Sequence, residues 1–233
     1  MTKIKFFFYL VLLAAAAYCG VMLYPAMFYS SNYTYENLTL YTHDPLSEPP
    51  DRLLSAIQEK IAASDFYEAD QKFEVYLAGS YAEYAFLAPF CRKDPACAHP
   101  FGNKVFIASS DIVKNRVYQS GGGKIGRSLE SVIIHELVKV QIKEYLGATK
   151  YYILSEWKSE GYAEHIAMET RDLNPSDFCT AGAGRDPVLP FLENRLIVEQ
   201  VTAEDRISYR ALMEENYSYR SVRNNVERRY CGK

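Results

Sequence analysis

The sequence has no surplus of basic charge. Its 233 residues carry 26 Lys and Arg against 29 Asp and Glu, a formal net charge of -3 with a pI near 5.9, whereas a nucleic-acid-binding surface needs a concentrated basic face. Arg220, Arg223, Arg228 and Arg229 gather near the C-terminus but are interleaved with Glu227, the pattern of a solvated helix face, so no nucleic-acid partner is expected. A phosphate loop is also missing. Gly121-Gly122-Gly123-Lys124 lacks the Gly-x-x-x-x-Gly-Lys-Ser/Thr spacing and reads as a loop before the next helix. Histidine is scarce, with four in the chain, and His43 beside Asp44 and His99 beside Pro100 sit in expected loops and join no motif.

One stretch lacks charge altogether. After Lys3 and Lys5, Phe6 to Tyr29 contains no charged residue, with Gly20 and Pro25 its irregularities, and it is long enough to cross a bilayer as a helix. Aromatics crowd both ends (Phe6, Phe7, Phe8 and Tyr24, Phe28, Tyr29), and no Lys or Arg follows until Arg52. The positive-inside rule then puts the N-terminus in the cytoplasm and the rest outside, in a periplasmic or extracellular space. A signal peptide cleaved near Ala14 to Ala17 is the competing reading. The apolar run continues well past that site, and Tyr18 before Cys19 spoils a lipoprotein signal, which favours a retained span. Residues 1–29 are therefore expected to be a cytoplasmic stub and transmembrane signal anchor. Residues 30–51, with Pro45, Pro49 and Pro50 near their end, read as a linker or an extended edge segment, and 52–233 as one domain. Asn32 and Asn37 open glycosylation sequons, which matter only in a eukaryotic secretory pathway.

Five cysteines need a compartment. Cys19 lies in the apolar run, and the even set outside it, Cys91, Cys97, Cys179 and Cys231, suggests two disulfides. Cys91 with Cys97 is the natural local pair, leaving Cys179 with Cys231 to tie down the C-terminal tail. Free buried thiols are the alternative; a zinc knuckle of Cys91, Cys97 and His99 has poor spacing and no fourth ligand.

The periodicity predicts helix from Asp51, placed as its cap, with Leu53, Leu54, Ile57, Ile61 and Ala62 at helical spacing. Phe73–Leu77 and Val105–Ile107 read as strands. Ser128 to Leu146 is a helix capped by Ser128 and closed by Gly147. Leu129, Ile133, Leu137 and Val140 lie on one face, Val132, His135, Lys139 and Ile142 on another, so it should be buried. Further helices are expected from Ser155 to Arg171, Phe191 to Val201 and Glu204 to Arg228, with a loop containing Gly182, Gly184, Pro187 and Pro190 after Cys179.

Two patterns within Ser128 to Ala167 carry chemistry. His135-Glu136-Leu137-Val138-Lys139 is the H-E-x-x-H arrangement with Lys139 at the second histidine position. In that arrangement two histidines four apart hold Zn²⁺ and the Glu activates a metal-bound water. The next helix carries Trp157-Lys158-Ser159-Glu160-Gly161-Tyr162-Ala163-Glu164. Together, over about forty residues, these segments resemble the gluzincin metallopeptidases, the thermolysin-like and aminopeptidase-like group. The resemblance implies an α+β, zincin-like domain with an edge strand along the substrate cleft. It further implies metal ligation by His135 and Glu160, Glu136 as general base, and Glu164 orienting His135. Many metallopeptidases also use a Tyr or His against the oxyanion, for which Tyr209, Tyr217 and Tyr219 are candidates.

Lys139 departs from the family, because an ammonium has no lone pair for a metal. In a pseudopeptidase reading, Lys139 supplies the positive charge, Glu136 and Glu160 pair with it, no cofactor is needed, and the cleft binds a peptide or protein or serves as a scaffold. In an active reading, zinc is held by His135, Glu160 and an improvised ligand, either a neutral Lys139 or His165. The carboxylates near Lys139 oppose its deprotonation, and His165 lies about 140° round the helix from Glu160. The third reading is an unrelated anchored α+β domain.

Overall fold

The computed structural model describes residues 2–118, 127–179, 186 and 188–232. The glycine triplet with Lys124, and Gly182, Gly184 and Pro187 of the later loop, lie outside the described residues. The architecture mixes helices with a mixed sheet. A helix α1 (Thr2–Leu23) leads through a 3-10 turn to strands β1 (Ser31–Tyr35) and β2 (Leu38–Thr42). Then come α2 (Asp51–Ala62), β3 (Phe73–Leu77), α3 (Tyr81–Leu87), β4 (Ala96–Ala98), β5 (Lys104–Ile107) and a small hairpin of β6 (Ser110–Asp111) and β7 (Arg116–Val117). The rest is helical: α4 (Leu129–Leu146), α5 (Ala148–Ile153), α6 (Glu156–Ala167), α7 (Leu189–Asp205), α8 (Tyr209–Glu214) and α9 (Tyr219–Cys231).

The five-stranded sheet runs β1-β2-β3-β5-β4. Its inner strands β2, β3 and β5 are parallel, and the outer strands β1 and β4 pair antiparallel to them. Strand alternation divides the core in two. Leu38, Leu40, Phe73, Val75, Val105 and Ile107 face the main core with α2 and α4. Tyr41, Tyr76 and Phe106 stack on the opposite face, with centroids 4.6 and 5.0 Å apart, in a smaller core shared with α3.

Several boundaries differ from those the sequence predicts. Of the two readings of residues 30–51, the extended edge segment holds for the first half and the linker does not: β1 is the edge strand on that side, and β2 buries Leu38, Leu40 and Thr42 in the sheet. The apolar helix stops at Leu23, since Pro25 begins a 3-10 turn, and Tyr29 is a buried residue packed on Tyr41, His43 and Tyr76. Asp51 is the first helical residue of α2 and no cap; Pro50 precedes it. α6 ends at Ala167 and not Arg171, because Met168 turns left-handed and Glu164 accepts the Thr170 N–H at 2.8 Å. α7 is longer than Phe191 to Val201, and the helix expected from Glu204 to Arg228 is broken. Arg206 adopts φ 53°, and Ser208 and Ser218 cap α8 and α9 separately.

Cys91 is bonded to Cys97, and Cys179 to Cys231. The first pair leaves no thiolate for a zinc knuckle; the second fastens the end of α9 to the turn Pro175–Cys179. Cys19 is free and exposed on α1.

Candidate functional site

α4 is the buried spine of the site. Ser128 Oγ accepts the Ser131 N–H at 3.0 Å, Gly147 ends the helix at φ 76°, and His135 at its middle is 1% exposed. α6 lies across it and is packed from behind by α7. A Cβ on Gly161 would stand 2.3 Å from the backbone oxygen of Asn194, so only glycine permits that approach, at the residue next to Glu160.

The crossing brings His135, Lys139 and Glu160 together. His135 Nε2 donates to Glu160 Oε2 at 2.8 Å, and Lys139 Nζ lies 2.7 Å from Glu160 Oε1, so one carboxylate bridges an imidazole and an ammonium. Glu136 lies 3.4 Å from Lys139 Nζ, and its Oε2 accepts the N–H of Ala98 on the edge strand β4 at 2.8 Å. Glu164 stands behind His135, but its Oε2 is 3.6 Å from Nδ1, beyond hydrogen-bond length. Its hydrogen bonds go instead to Arg127 Nη2 at 3.1 Å and the Thr170 N–H. Arg127 also donates to Glu169 at 2.5 Å and lies over the Phe191 ring, whose edge meets His135.

Burial and charge compete at each group. Burial lowers the pKa of Lys139, but Glu136 and Glu160 outweigh it and hold the ammonium well above its usual value. Burial likewise opposes charge on His135, and Glu160 with Glu164 still raises its pKa, against Arg127. Glu160 is raised by burial but driven well below the usual carboxylate value by Lys139 and His135. Glu164 is likewise lowered, with burial opposed by His135, Arg127 and the Thr170 N–H. The net arrangement pairs Glu160 and Glu164, both held in the ionised form, with Lys139, His135 and Arg127.

Glu136, Lys139 and Glu160 line a cleft of about 430 Å³, together with Asp94, Ala96 and Ala98 from the edge-strand segment and Tyr151, Phe191 and Asn194 from the helices. Tyr151 is the tyrosine that lines it, its pKa pushed up to about 12 by burial and the Glu136 and Glu160 charges, with Lys139 opposing. Tyr209, Tyr217 and Tyr219 do not. Tyr209 bonds His165 Nε2 at 3.1 Å, Tyr217 bonds Glu215, and Tyr219 bonds Glu193. His165 is spent on Tyr209 and Glu199 and is no neighbour of His135.

Whether zinc fits is a question of donors. Among the described residues no group of three or more His, Cys, Asp or Glu side chains is arranged to hold a metal ion. His135 and Glu160 are bonded to each other, Glu136 is engaged by Ala98, and the third corner is an ammonium. Zinc does not fit that set, since a bound ion would break the His135–Glu160 bond and face a cation at ligand range.

Some partners left no sequence signal. Arg127 and Glu169 belong to no motif, and topology alone carries them to α4 and α6. His43, expected in no constellation, donates to Glu83 at 2.8 Å and stacks on Tyr29 at 4.6 Å. His99 is fully buried, its Nδ1 paired with the backbone of Phe101. Compared with known proteins, the sequence matches no protein-family model and no curated protein. The gluzincin resemblance therefore rests on the two motifs.

Proposed function

We propose that this chain is a membrane-anchored, extracytoplasmic pseudopeptidase of zincin type, with a lysine ammonium in place of the metal and a cleft kept for binding polypeptide without cutting it. The observation that carries the reading is the bridging Glu160 carboxylate, 2.8 Å from His135 Nε2 and 2.7 Å from Lys139 Nζ. That geometry balances the charges of His135, Lys139 and Glu160 with protein groups alone, while His135 Nδ1 makes no hydrogen bond and has Glu164 3.6 Å away. Two further features support it. Glu136, the general base of an active relative, is held by Lys139 and the Ala98 N–H, and β4, an antiparallel edge strand, walls the cleft. The helix Ile4–Leu23 is long and apolar enough to cross a membrane, and the two disulfides suit an oxidising compartment.

The test offers an unfolded polypeptide, reduced and alkylated casein, to the purified chain with added zinc. Binding without cleavage is expected, with affinity lost in Phe191→Asp, which charges the cleft wall. Cleavage that stops with a chelator and in Glu136→Gln would overturn the proposal, as would the absence of binding.

A further inference from the structure

The contact between the domain and its own N-terminal helix has a consequence beyond the cleft. Along α1 the side chains from Ile4 to Leu13 are exposed, whereas Tyr18, Gly20 and Val21 are partly covered and Met22 is 6% exposed. Val21 packs on the cluster containing Tyr84, Leu87 and Ala88, and the Tyr18 hydroxyl donates to the Phe86 carbonyl at 2.7 Å with the two rings 5.0 Å apart. Tyr18 precedes the helix end at Leu23 by five residues, about 7.5 Å along the axis at 1.5 Å per residue. The end of α3 therefore sits beside the helix and not beyond it.

Around that junction the surface is aromatic and apolar. Phe90 is 70% exposed and Phe86 48%, and at the helix exit Tyr24, Met27 and Phe28 are also exposed. Arg92 and Lys93 come just after Phe90, separated from it by the disulfide-bonded Cys91, an arrangement suited to phospholipid headgroups behind an inserted ring. The covering of this collar must be continuous with the covering of α1, since Phe86 touches α1 itself. For a helix of mean hydropathy 2.3 and 6% burial that is retained as an anchor, that covering is lipid.

We propose that Phe86 and Phe90, with Tyr24, Met27 and Phe28 round the helix exit, insert at the headgroup boundary of the bilayer that α1 crosses. The domain is thereby seated on the membrane surface and not held off it. This rests on α1 being retained as an anchor. It also fixes orientation. α3 follows the C-terminal end of β3, which is parallel to β5, so the turn from β4 to β5 holding exposed Phe101 is at the opposite end of the sheet and points away from the bilayer. The Ala96 end of the cleft wall is on the membrane side.

The test reconstitutes the full chain in phosphatidylcholine vesicles whose acyl chains are brominated at a shallow position, and reads tryptophan emission against unbrominated vesicles. Trp157, the single native tryptophan and nearly buried, gives a constant background. Phe86→Trp and Phe90→Trp are expected to lose emission as Tyr9→Trp within α1 does, while Phe101→Trp keeps it. If Tyr9→Trp is quenched and Phe86→Trp and Phe90→Trp are not, the seating is wrong and the anchor stands. If Tyr9→Trp is not quenched, both fall. Quenching of Phe101→Trp to the same degree would overturn the orientation.

Discussion

Replacing Lys139 by methionine keeps most of the side chain's length and volume and removes its charge. Glu160 would retain His135, but its Oε1 would lose the ammonium at 2.7 Å, and Glu136 would lose its cation at 3.4 Å. Removing one member of a buried pair costs about 3–5 kcal/mol, because the other charge stays desolvated. Here the side chains of Lys139, Glu160 and Glu136 keep 19, 15 and 10% exposure, and cleft water can reach the freed oxygens. The expected loss is therefore nearer about 2–3 kcal/mol, a fall of about 5–10 °C in Tm for a chain of this size. The assay is denaturant unfolding in detergent micelles followed by circular dichroism, on Lys139→Met, Glu160→Gln and the double variant. Since the two groups touch, the double variant should be less destabilised than the sum of the singles by about 1–2 kcal/mol. A Lys139→Met protein as stable as the unaltered chain, with no coupling to Glu160→Gln, would refute the claim that the ammonium holds the site together.

Three other outcomes are expected. Glu160 has its pKa held below 4.5, so its contribution to stability is full above about that pH and fades as pH falls through the depressed value; His135 has its pKa raised above 6.5, so its contribution is full below that and fades as pH rises through the raised value. The stability gap between the unaltered chain and Glu160→Gln should therefore be widest between 4.5 and 6.5, and urea midpoints showing a wider gap at alkaline pH would contradict it. Gly161→Ala should cost about 1–3 kcal/mol in a thermal melt, since its methyl group forces α7 off α6; an unchanged melt would mean α7 yields freely. Opening Cys179–Cys231, which spans 52 residues, with paired serines should cost about 4 kcal/mol, roughly twice the cost of opening Cys91–Cys97 on loop-closure entropy. Equal costs in denaturant unfolding would argue against that account.

The spine of the site was legible because its signals are local. Ser128 and Gly147 mark the ends of α4, and the four-residue step from His135 to Lys139 puts both on one side of it. The turn between α4 and α6 then leaves Glu160 little choice of neighbour. Phe73–Leu77 was legible from alternation, and the cysteine pairs from the count and a short loop. The hairpin of β1 and β2 was not, because Asn32, Thr34, Thr39 and three nearby prolines look like linker chemistry. The two residues that bury it most deeply, Leu38 and Leu40, are too few to set a period. The end of α6 is not legible because a side chain, Glu164, through its bond to the Thr170 N–H, stops the helix before the sequence punctuation at Pro175. Arg127, Glu169 and the pairing of Glu136 with Ala98 are contacts between elements far apart in the chain, which only the assembled sheet and helices create. His43 and Glu83 likewise meet because β2 ends beside the first turn of α3.

The most direct measurement is the metal content of the chain purified under zinc-replete conditions, by elemental mass spectrometry, beside Lys139→His and Lys139→His/Glu160→Ala. The lysine-for-metal account predicts no zinc in the unaltered protein, stoichiometric zinc in Lys139→His, and its loss in the double variant. Stoichiometric zinc in the unaltered protein would contradict it.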